Sequence, residues 1–143
     1  MHKNLITLEN DLQSPIYDMS FDWFGKRIAI VTKNQRISIY KLVNDKWEKE
    51  YDELDTKHNG PIWKIKWAHP SFGNIIATCS YDKTIAIWEE KKKNLTESKT
   101  WERIHNIGNF GDSIEDIKFA PSRHEFVLAS ACADGKVTVH TFD

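Results

Sequence analysis

Long apolar runs are absent from these 143 residues, and no segment reaches the ~20 apolar residues that a bilayer-spanning helix needs. The N-terminal stretch MHKNLITLEND has one Lys and is broken by Glu9, Asn10 and Asp11, so it lacks the h-region and cleavage site of a secretory signal. There are only two cysteines, Cys79 and Cys132, with no CxxC or metal spacing, which fits a reduced compartment. Cytosol or nucleus follows, and the sequon Asn94-Leu95-Thr96 would matter only in a secreted chain. No charge of one sign dominates: 20 Lys+Arg against 21 Asp+Glu leave a net charge of -1 and no electrostatic footprint for direct nucleic-acid binding. The six histidines are scattered without HExxH or paired Cys/His spacing, so neither a metal nor a cofactor is expected. What is abundant is aromatic: six Trp, seven Phe and four Tyr, which suit many short strands. Lys91-Lys92-Lys93 reads as a solvated loop, because three like charges are too few for a binding patch.

Self-comparison gives three aligned segments. They are SPIYDMSFDWFGKRIAIVTKNQRISIYKL from Ser14, GPIWKIKWAHPSFGNIIATCSYDKTIAIWEE from Gly60, and DSIEDIKFAPSRHEFVLASACADGKVTVHTFD from Asp112. Ile16, Ile62 and Ile114 open the copies, and Phe21, Trp67 and Phe119 follow five residues later. Ala29, Ala77 and Ala129 lie on a second strand; Asn34, Asp82 and Asp134 mark a turn; Ile39, Ile87 and Val139 lie beyond it. The alternation of Ile62, Lys64 and Lys66 with Trp63, Ile65 and Trp67 is that of a strand with two unlike faces. Further strands are expected at Lys46 to Asp52 and Thr100 to Asn106, and an equivalent one at Lys3 to Leu8. The offsets of 48 and 52 residues between the alanines approach the ~40–45-residue WD period, lengthened by loops. The expected fold is all-β: one open, partial WD-repeat β-propeller over 1–143. Its three blades of four strands would span about 3–54, 55–108 and 109–143.

The second copy holds His58, Ser80, Asp82 and Trp88, a set that superficially suggests a hydrolase. No Gly-x-Ser-x-Gly elbow exposes the serine. The set resembles the structural hydrogen-bond chain of a WD repeat. That resemblance implies that Asp82 locks His58 and the turn, Ser80 bridges, and the Trp88 N–H finds an acceptor. The first copy has Thr32, Asn34 and Tyr40 at the Ser, Asp and Trp places, and the third has Cys132, Asp134 and His140. Cys79 and Cys132 read as small buried hydrophobes, His140 as a packing residue, and no catalytic residue is expected. His69-Pro70 and Pro121 suit turns between first and second strands.

WAHPSFG and CSYDKT are more specific, and with YDMSFDWFGKRIA, DIKFAP and ADGKVTVH they resemble the SEH-type nucleoporins and their SEC-type paralogues over nearly the whole chain. GPIW leans toward the SEC type; Trp88-Glu89-Glu90, the long loop from Lys91 to Thr100 and Phe119-Ala120-Pro121 favour the SEH type. The resemblance implies a non-enzymatic scaffold of the nuclear-pore Y complex in the nucleus and nuclear envelope. It also implies a role in nutrient signalling to TOR through a GATOR-type assembly, with a cytoplasmic or lysosomal-surface pool. It implies a six-bladed open propeller that a protein partner completes by inserting a blade. The expected contacts are Leu5, Ile6, Leu8, Ile16, Tyr17, Met19 and Phe21. Direct nucleic-acid binding, membrane insertion and a small-molecule substrate are not implied.

This chain departs from the family in having three copies where six are usual, and Asn34 and Tyr40 where Asp and Trp are usual. Ala29-Ile30-Val31 likewise replaces a strand usually rich in small residues. Three blades cannot close a ring, so an apolar sheet face is expected to need a cover: further blades, a partner or a second copy. A COPII vesicle-coat subunit of SEC type and a generic WD-repeat adaptor remain alternative functions.

Overall fold

The computed structural model describes residues 4–8, 14–94 and 98–143. Its eleven strands form three antiparallel sheets. The first sheet is a meander of β1 (Ile16–Phe21), β2 (Arg27–Thr32), β3 (Arg36–Val43) and β4 (Lys46–Asp55). The second repeats it with β5 (Ile62–Trp67), β6 (Ile75–Ser80), β7 (Ile85–Lys92) and β8 (Lys99–Ile107). The third has β9 (Ile114–Phe119), β10 (Val127–Cys132) and β11 (Val137–Thr141). The only helical element among the described residues is a 3₁₀ turn at Pro70–Phe72, where proline enters the first turn and the His69 side chain accepts from the Ser71 N–H.

The three sheets share one register. Ala29 pairs with Ile39, Ala77 with Ile87 and Ala129 with Val139; Val31, Cys79 and Ala131 pair with Ile37, Ile85 and Val137. Each inner strand carries a bulge after its opening isoleucine, at Tyr17, Trp63 and Glu115, and those residues drop out of the ladder. Tyr17 thereby stacks on Trp63, with ring centroids 5.8 Å apart. The Trp63 indole N–H donates to Ser113 Oγ at 2.9 Å, linking the second sheet to the third.

Because side chains alternate across a strand, each sheet has two faces. One face of the first sheet, with Ala29, Val31, Ile37 and Ile39, packs on Ile65, Ile76, Trp88 and Trp101 of the second. The opposite face of the second sheet, with Ala77, Cys79, Ile85 and Ile87, packs on Ile117 and Leu128 of the third. The core is two seams between successive sheets, each joining a small aliphatic face to a larger one.

Three expectations change. Residues 4–8 lie in no strand, and Lys3 is outside the described residues. A lone extended segment needs a neighbour for its backbone groups, and both β1 and β4 are sheet edges to which 4–8 does not pair. The third sheet also has three strands where four were expected. Lys91 and Lys92, expected in a loop, extend β7 and pair with Thr100 and Lys99; Leu95 and Thr96 lie outside the described residues.

Candidate functional site

A buried polar constellation joins the loop before β5, strands β6 and β7, and the turn after β6. The His58 ring is buried, with Nδ1 2.9 Å from Asp82 Oδ2 and Nε2 2.9 Å from Thr78 Oγ1. The Trp88 indole N–H donates to the same Thr78 oxygen at 3.2 Å. These contacts fix the protons. The Asp82 carboxylate can only accept, so the neutral His58 ring carries its proton on Nδ1 and donates it there. Nε2 is then an acceptor, so the Thr78 hydroxyl donates to it while Thr78 Oγ1 accepts from the Trp88 indole. Asp82 also accepts from the Asn59 N–H at 2.9 Å, the Thr84 N–H at 3.0 Å and the Thr84 hydroxyl at 2.5 Å.

His58, Asp82 and Trp88 therefore join one chain, but the bridging hydroxyl is Thr78 and not Ser80. The two residues share a face of β6, so periodicity cannot separate them; depth does. Ser80, nearer the turn, donates to the Gly60 and Pro61 carbonyls and accepts from the Asp82 N–H. Only the third sheet mirrors this bridge. Ser130, at the Thr78 station, lies 2.9 Å from His140 Nε2, whereas the first sheet has Ile30 there beside Tyr40. Thr32 bonds Asn34 at 2.8 Å. Cys79 is fully buried, and burial followed by the nearby Asp116 charge pushes its thiol up to about 12, well away from nucleophilic use. Cys132 donates weakly to the Asp112 carbonyl at 3.4 Å.

Burial holds His58 below its ordinary value and outweighs the opposing pull of Asp82. A proton on Nε2 would also remove the acceptor of Thr78. The unfolded chain then takes up the proton first as pH falls, so His58's contribution is complete above its ordinary value of 6.5 and declines below it. We expect the thermal midpoint to drop between about pH 7 and pH 5, and a His58→Gln variant, less stable at neutral pH, to show a shallower slope across that window. Parallel slopes would assign the effect to another group.

A second cluster, not read from the sequence, ties the first two sheets. Arg27 reaches across the seam to Glu90 through Nη1 at 3.1 Å and Nη2 at 2.8 Å, and Nη2 also meets Glu50. The Tyr51 hydroxyl donates to Glu90 at 2.8 Å. The guanidinium lies 5.1 Å from the Trp67 ring centroid and 5.7 Å from that of Trp101. Burial pushes the Glu90 carboxyl up, but the Arg27 and Tyr51 bonds together with the guanidinium charge hold it below the usual carboxylate range. Arg27 and Glu90 are 63 residues apart, so no local pattern announces the pair.

Of the contacts expected for a partner, the structure gathers only some. Tyr17 turns toward Trp63. The β1 edge faces β5: the Asp18 carboxylate accepts from the Ile65 N–H and the Ser20 carbonyl from the Trp67 indole, both at 2.9 Å. What β1 leaves open is its outward side-chain face, with Ile16, Met19 and Phe21 exposed and Phe21 6.2 Å from Trp47. Leu5 and Ile6 are exposed and Leu8 is half-buried, in a segment that joins no sheet.

The sequence model of the family described as "WD domain, G-beta repeat" matches residues 52–89, which span His58, Thr78, Asp82 and Trp88. These residues of the chain form a WD repeat. It is similar to nucleoporin SEH1-A of Xenopus laevis and nucleoporin SEH1 of Homo sapiens, each 33% identical over 135 residues. Those matches cover 91% of this chain and 37% of each relative. It is also similar to the SEC13 homolog of Drosophila melanogaster, 32% identical over 134 residues, covering 94% of the chain and 35% of that protein. The resemblance to SEH-type nucleoporins and their SEC-type paralogue therefore holds along the WD-repeat chain. The chain spans little more than a third of the length of these relatives. Within the matched WD repeat Thr78 and Ser80 are fully buried and hydrogen-bonded into the blade.

Proposed function

We propose that this WD-repeat chain is a non-enzymatic scaffold subunit of the nuclear pore, working in the Y complex at the nuclear envelope. In this reading it binds a partner protein through the outward face of its first sheet. The observation that carries the docking face is the row Ile16, Met19 and Phe21, which is exposed although the matching Ile62, Ile65, Ile114 and Ile117 are buried and Trp67 and Phe119 partly so. Face-to-face seating of a partner sheet accounts for such a row better than strand addition, because β1 turns its backbone edge to β5. His58 and Ser80 are spent on structural bonds, which supports a role without catalysis. The same face serves a role in a GATOR-type signalling assembly, with a cytoplasmic or lysosomal-surface pool. The similarity to a SEC13 homolog favours one alternative, a vesicle-coat subunit.

The test is affinity capture of the tagged chain from its native cells, read by mass spectrometry. Y-complex nucleoporins should be recovered by the wild type and lost by Phe21→Asp. Coat subunits in their place would move the assignment to the alternative, and recovery unaffected by Phe21→Asp would remove the face from the interface.

A further inference from the structure

Asn59 is the only asparagine of the chain that glycine follows, and it is exposed beside the buried His58. A glycine carries no side chain to shield its nitrogen, so that nitrogen can reach the side-chain carbonyl of a preceding asparagine. The reaction also needs the nitrogen to be uncommitted. In the loop before β5 the neighbouring N–H groups are held: Lys57 donates to Asp55 at 3.1 Å, His58 to Thr56 Oγ1 at 3.2 Å and Asn59 to Asp82 at 2.9 Å. Pro61 has no N–H. Among the described residues the Gly60 N–H makes no such bond. The Asp134-Gly135 turn of the third sheet is the contrast, because its Gly135 N–H donates to the Cys132 carbonyl at 3.1 Å.

We propose that Asn59 is a site of spontaneous deamidation, and that its isoaspartyl product loosens the hold of Asp82 on His58. The Gly60 nitrogen gives its proton to solvent and bonds to the Asn59 side-chain carbon. The side-chain amide leaves as ammonia, and a five-membered imide remains. Water then opens the ring. Opening at the new bond gives aspartate; opening at the original peptide bond gives isoaspartate, whose main chain runs through the side chain and is one atom longer. Either product sets a carboxylate near that of Asp82, and like charges sharing a site repel. The longer main chain does more. Gly60 is buried, and a Cβ on it would lie 3.3 Å from both the Asp82 nitrogen and Tyr81 Cδ1, so added length has no room. Both flanks of the insertion are pinned, the Asn59 N–H on Asp82 and the Gly60 carbonyl under the Ser80 hydroxyl at 3.2 Å. The displacement therefore falls on the carboxylate that holds His58 and, through it, Thr78 and Trp88.

The folded 143-residue chain is aged in mildly alkaline buffer at physiological temperature and then digested with trypsin in heavy-oxygen water. Deamidation arising during digestion then shows as a larger mass step and is subtracted. The peptide His58–Lys64 should grow heavier by one mass unit, several-fold faster than any other asparagine peptide and with the isoaspartyl form in excess. Asn59→Gln should block the gain and keep the fold, since the network uses the main-chain N–H of that residue. Aged alongside, it should hold its melting temperature while the wild type loses several degrees. Asn59→Asp adds the charge without the extra atom, and should lose less than the isoaspartyl form. A mass gain at His58–Lys64 only when the chain is unfolded in urea overturns the site. An isoaspartyl-enriched fraction that melts with the fresh protein overturns the loosening of Asp82.

Discussion

Replacing Glu90 with alanine is expected to destabilise the chain by about 3–5 kcal/mol, the cost of leaving a buried charge without its partner. The Glu90 side chain is 2% exposed and that of Arg27 12%, so water cannot take over. Removing the carboxylate leaves the guanidinium against Trp67 and Trp101 with only Glu50, and takes the acceptor from the Tyr51 hydroxyl. In urea the midpoint should fall with little change in slope. The informative companion is the triple change Arg27→Met, Glu90→Leu, Tyr51→Phe. Apolar replacement of a whole buried ion cluster is often neutral or better, so most of the loss should be regained. The second seam supports this, since its residue at the Arg27 station is Ile75. A triple variant as unstable as Glu90→Ala would show that packing around the guanidinium, and not its charge, is what the cluster supplies.

Asp82→Ala should cost about 3 kcal/mol, because bonds to a charged acceptor contribute ~1.5–3 kcal/mol each and several are lost together. The buried His58 Nδ1–H is stranded, and the turn after β6 loses the acceptor of Asn59 and Thr84. Asp82→Asn keeps an oxygen in place and should cost less than half as much. The two variants, followed by denaturant melts, separate charge from geometry. Equal losses would mean that the carboxylate charge is what holds His58. An Asp82→Ala loss under about 1 kcal/mol would mean that the chain is not a stabilising network at all.

The repeat was legible because the ladder repeats: Phe21, Trp67 and Phe119 hold one station of the first strand of each sheet, and Ala29, Ala77 and Ala129 hold one station of the second. The strand Ile75–Ser80 and the His58–Asp82 link could be read for the same reason. Thr78 could not, because Thr78 and Ser80 are alike in chemistry and face and differ only in depth. The Arg27–Glu90 pair could not, because an ion pair across a seam leaves no periodicity. Residues 4–8 mislead because Leu-Ile-Thr-Leu has strand composition, while a strand also requires an edge to pair with.

Among the described residues the ion cluster sits at one seam only, and that asymmetry gives the molecule a thermal direction. Apolar contact weakens on cooling, while the penalty for burying charge falls on warming. The seam between the second and third sheets, held by aliphatic and aromatic packing, is therefore the one that cold loosens first. The seam bridged by Arg27 gains relative strength with heat. A chain of repeats that looks uniform along its length thus has a cold end and a warm end.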